Sequence, residues 1–286
     1  MKPSVLVLAL AGLLLLPMTV QAAVLVDNVT SVTAASVSSK TFAHTVSGST
    51  VNRLLIVGVS WSDGNSRQIS SVTYGGVAMT AIAVSVTNGS SAKVQMYRLY
   101  GGTLPTGTNN VVVTWSGTVT GVIGATTFYG VDQTTPLGAL VGTTGNTATP
   151  THTVTSATGD LVVDTMAAGG GTPVVDPSQT QRWNLTQTVR GAGSTKPGAA
   201  SVTMSWTLGS TQSWAIQAVP VKAAAAGAFA KLQLLVPGET AAPWTTSGVT
   251  GTPTAQTAGT PFTVTVNAVD ANWYLVNTVT DTVGIT

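Results

Sequence analysis

The chain has 286 residues, 43% of them hydrophobic and only 7% charged, with a formal net charge of +2 that includes Lys2. That much apolar material at so low a charge excludes intrinsic disorder, and near neutrality excludes the basic footprint of a nucleic-acid binder. The absence of cysteine excludes disulfides and thiol catalysis.

Met1, Lys2 and Pro3 lead into an apolar stretch at residues 5–16, Pro17 breaks it, and Val20-Gln21-Ala22-Ala23 supplies a small-residue cleavage site. Residues 1–22 therefore read as a secretory signal peptide cut after Ala22. About a dozen apolar residues are too few for a membrane anchor, which needs roughly 20. The expected location is secreted or at the cell surface, with no membrane span left after cleavage.

Residues 24–222 follow as a continuous run of strand-like segments. "LLIVGV" at 54–59 is apolar at every side-chain position, as in a central strand covered on both faces. "SVTYGGVAMT" sets Gly75-Gly76 between two short runs and predicts a two-residue hairpin. In "NVVVTW" the residues Val111, Val113 and Trp115 recur at every second position. "SVTMSWTL" repeats the device through Val202, Met204, Trp206 and Leu208. Trp61, Trp115, Trp206 and Trp214 lie in such patterns and are expected in the core. No internal repeat is evident, and about 200 residues suit one large sandwich of jelly-roll type.

At Val221 the pattern gives way to an Ala-rich stretch, expected as a linker over residues 223–228. Beyond it, Leu232 and Leu234 alternate with Lys231 and Gln233, and Pro237-Gly238 ends the run. After Pro261, Phe262, Val264, Val266 and Ala268 face one way and Thr263, Thr265 and Asn267 the other. Three or four strands in residues 229–286 are too few for an immunoglobulin-like sandwich of about seven. The expected fold class is all-β: a jelly-roll-like β-sandwich followed by an incomplete immunoglobulin-like β-sandwich.

The segment "LQLLVPGE…GTPTAQTAGTPFTVTVNAVDANWYLVNTVTD" resembles the immunoglobulin-like repeats that follow one another in long bacterial secreted and surface proteins. "GVDQTTPLGA" and "GAASVTMSWTLGSTQSWAIQAV" are similar, more loosely, to poorly characterised β-sandwich modules of exported bacterial proteins. The first resemblance implies that the chain is a piece of a longer modular protein whose last module is truncated. Neither resemblance carries an activity.

The residues offer little chemistry. Glycoside hydrolysis needs two carboxylates about 5–9.5 Å apart. Asp160 and Asp164 flank "LVV", but four residues along a strand span about 13 Å, so they read as a turn aspartate and a strand-end aspartate. Glu239, the sole glutamate, adjoins a turn. His44 and His152 sit in strand-like, Thr-rich contexts, and "GVSWS" lacks the second glycine of a nucleophile elbow. Two histidines without cysteine do not make a structural zinc site. Asp270 and Asn272 share a turn that Asp281 could approach, yet calcium needs six to eight oxygens and such a turn usually caps its own backbone. No catalytic residue, metal or cofactor is expected.

Sugar binding needs a flat aromatic surface edged by polar groups. Arg182, Trp183 and Asn184 in "QTQRWNLTQ" form the one such grouping, with Trp183 expected to be partly exposed. The leading expectation is a non-catalytic exported surface, adhesion or spacer module of a larger bacterial protein. The alternative is a carbohydrate-binding module attached to a polysaccharide-degrading enzyme. The partners would be a glycan or another surface protein.

Overall fold

The computed structural model describes residues 23–63 and 67–279. The expected signal peptide and Asp281 lie outside the described residues. Apart from one turn of 3-10 helix at Gly101–Thr103, the described elements are strands, and every pairing between them is antiparallel. Among the described residues no helix is long and apolar enough to cross a membrane.

The first eight strands are β1 (Leu25–Val46), β2 (Leu54–Ser62), β3 (Ile69–Tyr74), β4 (Val77–Ala78), β5 (Thr80–Ala81), β6 (Val86–Asn88), β7 (Ala92–Tyr100) and β8 (Gly107–Tyr129). The long strands β1 and β8 pair along most of their length and bend together, through bulges between Ala34 and Ser39 of β1. The start of β1 and the end of β8 join β2 and β7 in an inner sheet; the end of β1 and the start of β8 join β3 and β4 in an outer one. Between these layers lie Leu55, Val57, Val59, Trp61, Val113 and Trp115. The β3–β4 turn is the expected hairpin: Tyr74 pairs with Val77, and Gly75 and Gly76 hold φ of 56° and 80°. Both central residues must adopt positive φ in a turn of this kind.

The next eight strands are β9 (Val141–Thr147), β10 (Thr151–Val154), β11 (Leu161–Ala168), β12 (Val174–Val175), β13 (Thr180–Thr186), β14 (Arg190–Pro197), β15 (Val202–Thr207) and β16 (Gln212–Val221). The inner sheet runs β13-β14-β11-β16-β9 and the outer β10-β15-β12. This is the path of the first half, with β9 and β10 standing for the two parts of β1 and β15 and β16 for the two parts of β8. The class is the expected all-β sandwich, but residues 24–222 divide their strands between two sandwiches of one topology rather than filling one. In each, a V-x-(V/M)-x-W strand brings a tryptophan into the core: Trp115 is 3% exposed and Trp206 is fully buried.

The two inner sheets pack against each other. Leu54 and Ile56 share a cluster with Val163 and Val219, which accounts for the apolar character of 54–59 on both faces. β2 meets β11 and β14, β7 meets β11 and β16, β8 meets β13 and β14, and β6 meets β9 and β16. Exchanging the halves maps these contacts onto one another, the property of an isologous interface around a two-fold axis. The seam is close: a Cβ on Gly58 would lie 2.1 Å from Thr165 Oγ1. It is also hydrogen-bonded, since Ser60 Oγ donates to Met166 O at 2.9 Å and Gln217 Nε2 to Val84 O at 2.7 Å.

The C-terminal strands are β17 (Lys231–Leu235), β18 (Glu239–Ala241), β19 (Val249–Gly251) and β20 (Thr265–Val269), paired as β17–β20 and β18–β19. Cross-strand partners Leu232 and Ala268, and Leu234 and Val266, share one face as their alternation demands. That face is outward: Leu232 is 50% and Leu234 55% exposed, whereas Gln233 on the opposite face is buried. Gln233 is satisfied there, donating to Gly248 O at 2.7 Å and accepting from Asn267 Nδ2 at 2.9 Å.

Trp244 joins this unit to the first sandwich. Its indole is buried, stacks on Tyr274 at 5.3 Å between ring centres, and shares a cluster with Val51 and Tyr129. A Cβ on Gly130 would lie 2.7 Å from Trp244 Cδ1, so the backbone there admits the ring only as glycine. Val51 N donates to Trp244 O at 2.9 Å and Thr246 N to Ser49 O at 3.0 Å. Part of the 223–228 stretch is held as well. Ala224 is buried and its N–H donates to Gly130 O at 2.8 Å, while Gly227 N donates to Asp270 Oδ2 at 2.8 Å.

Candidate functional site

The expected sugar platform does not form. Trp183 is only 5% exposed. Its indole fills the space between two glycines, one from each half: a Cβ on Gly124 of β8 would lie 2.1 Å from Trp183 Cε2, and one on Gly193 of β14 would lie 2.5 Å from Nε1. Arg182 and Asn184 flank it in β13 and have structural partners of their own. Arg182 Nε donates to Thr195 Oγ1 at 2.8 Å, and burial pushes the guanidinium pKa down. Asn184 Nδ2 donates to Pro173 O at 2.8 Å and to Gln181 Oε1 at 3.1 Å. The polar neighbours that suggested exposure belong to the alternate positions of the strand, so their polarity says nothing of the face that Trp183 occupies.

The acidic residues are dispersed. Asp160 is a turn residue, as expected: its Oδ2 accepts from Ser156 Oγ at 3.1 Å and Ala157 N at 3.2 Å, and its Oδ1 from Ala223 N at 3.0 Å. Asp164, expected at a strand end, lies instead within β11 and is fully buried. Its Oδ1 accepts from Ser194 N at 2.6 Å and Ser194 Oγ at 2.8 Å, and its Oδ2 from Trp206 Nε1 at 2.7 Å. Burial raises its pKa to about 6 against the opposing pull of these donors. Gln179 extends the network, donating to Ser194 Oγ at 2.7 Å and accepting from Ser205 N at 2.5 Å. This is a polar core that fastens β11, β14 and β15, sealed from any substrate.

The histidines are core residues too. His44 Nε2 lies 2.7 Å from Thr127 Oγ1 and Nδ1 3.0 Å from Thr30 Oγ1, and burial lowers its pKa to about 4. His152, in the other sandwich, is shifted down by burial as well. Asp270 Oδ1 caps its own turn, accepting from Asn272 N at 2.8 Å and Tyr274 N at 2.9 Å. Among the described residues no three His, Cys, Asp or Glu side chains gather as a metal site would require.

The feature that the residue-by-residue reading missed is a pair of adjoining clefts at one end of the seam, of about 310 and 220 Å³, which share Ser62 and Thr188. Asp63 stands at their edge, its two carboxylate oxygens each 2.8 Å from Lys93 Nζ. No motif marks this place; its residues come from separate strands and turns of both halves. A third cleft, of about 490 Å³, lies beside the Gly75-Gly76 hairpin and Asn109. No protein-family model, no curated protein and no solved structure matches this chain.

Proposed function

We propose that the protein is a non-catalytic exported surface or spacer module of a larger bacterial multidomain protein. The observation that carries this reading is the Trp244 joint. A spacer must hold successive units at a set angle, and a buried indole with flanking backbone hydrogen bonds does so where a free tether would not. The outward apolar face of β17–β20 supports the immunoglobulin-like reading of residues 229–286, because a two-stranded sheet is marginal alone and such a face belongs against a second sheet.

Two measurements test the proposal. Spin labels on Thr87→Cys and Thr250→Cys, in a chain with no other cysteine, are expected to give one narrow distance distribution that broadens in Trp244→Ala. A broad distribution without that substitution refutes the rigid joint. Sequencing past the codon for Thr286 is expected to find further β-rich repeats or a surface-attachment segment, and a stop codon there counts against a longer modular protein.

A further inference from the structure

We propose that the hydroxyl-lined cleft at the end of the seam binds a neutral sugar or a similar polyol. Ser36, Ser62, Thr118, Thr120 and Thr188 line the larger hollow, and Ser90 and Ser91 extend it past Gly169 into the smaller. Some exposed hydroxyls of this protein satisfy one another, as Thr45 does with Thr108 at 2.8 Å and Thr153 with Thr203 at 3.2 Å. In the cleft the five hydroxyls of the larger hollow make no side-chain hydrogen bond with the described residues. They border one space, where a ligand could take up their donor and acceptor capacity.

The chemistry of the lining selects the ligand. A serine or threonine hydroxyl can both donate and accept, which matches a sugar hydroxyl in either role. Among the described lining residues Asp63 is the one acidic group, and Lys93 Nζ, 2.8 Å from each of its oxygens, cancels its charge. A charged ligand therefore finds no unpaired countercharge among the described residues that line the hollows, while a neutral polyol needs none. A volume of about 310 Å³ is near the lower end for small-molecule sites and holds a single ring, with the adjoining hollow open to a second. The position suits a site as well, since clefts between packed units are favoured binding places and both halves contribute walls. Ser36, held at φ 52° in the bulge of β1, is part of this wall. Among the described residues no aromatic ring lines either hollow, so the stacking contribution is missing and the expected affinity is weak, on the order of 1 mM. This assignment is independent of the spacer reading and uses neither Arg182 nor Asn184.

The test is a titration of the isotope-labelled full chain with cellotriose, with the N-acetylglucosamine trimer and with trigalacturonate, each to about 20 mM, followed by amide chemical shifts. At least one neutral trisaccharide should give saturable shifts at Ser62, Thr120, Thr188 and their neighbours. The double substitution Thr120→Val with Thr188→Val should weaken that binding at least about tenfold. Thr45→Val with Thr153→Val, which removes paired hydroxyls elsewhere, should leave it unchanged. Absence of saturable cleft shifts with both neutral sugars overturns the proposal, as does tighter binding of trigalacturonate.

Discussion

Replacing Gly124 by alanine tests whether Trp183 is the keystone of the seam. The new methyl would lie 2.1 Å from Trp183 Cε2 and 2.2 Å from Nε1, whereas carbon atoms rest about 3.5–4.0 Å apart. The ring or the sheet must therefore give by roughly 1.5 Å, and the ring cannot retreat because Gly193 closes its other side. Overpacking of this kind costs about 1–3 kcal/mol, and the rigidity of both flanking sheets puts the expected loss at the upper end. Trp183→Ala alone should cost about 3–5 kcal/mol through the cavity it leaves. In that background the Gly124→Ala methyl meets open space, and the substitution becomes neutral or stabilising by up to about 1 kcal/mol because alanine is the better strand residue. Urea unfolding of the four proteins, compared by midpoint at constant slope, measures the coupling. If Gly124→Ala costs the same in both backgrounds, the Trp183 packing does not hold the halves together and the argument fails.

Acidification should reveal two buried groups working against each other. The pKa of Asp164 is raised to about 6 in the fold, so the fold gains up to about 3 kcal/mol as pH falls from 6 towards 4. That of His44 is lowered to about 4, so the fold loses up to about 3 kcal/mol as pH falls from 6.5 towards 4. The two contributions largely offset each other in the parent chain, which His152, also shifted down by burial, still weakens in acid, so Asp164→Asn should lose stability more steeply than the parent; parallel urea midpoints for the two proteins at pH 7, 6, 5 and 4 would contradict the assignment. Leu232→Thr with Leu234→Thr should lower self-association at high concentration, read by sedimentation, with a melting temperature within about 2 °C of the parent, because both side chains already face water. Unchanged association would show that the apolar face of β17–β20 is not the adhesive one.

The core was more legible than the surface. Strand patterns placed Trp61, Trp115, Trp206 and Trp214 inside, because a strand's own pattern records which faces it buries. The Gly75-Gly76 turn was readable for a local reason as well, since only its dihedral demand matters. Trp183 was misread because its burial is decided by Gly124 and Gly193, remote in sequence and silent in pattern. At β17 the alternation was seen but its sense was not: Gln233 faces inward because Asn267 and Gly248 meet it there. The doubled topology escaped notice because the halves share little beyond a V-x-(V/M)-x-W strand, and one half runs as unbroken strands what the other divides in two. The hydroxyl cleft had no signature at all in a chain where serine and threonine are everywhere.

The two-fold seam has a consequence for how this protein can change. In a dimer of identical subunits every substitution near the axis is made twice, so a side chain too large to meet its own copy is forbidden there. Here the two sides are encoded separately. β13 can place an indole in the seam while the first half, at the matching edge, carries only the short strands β5 and β6. One half of the interface is thus free to grow a ligand-sized hollow or a wedge while the other keeps the sheets together. Covalent linkage leaves a contact of symmetric topology in which each side is free to change alone.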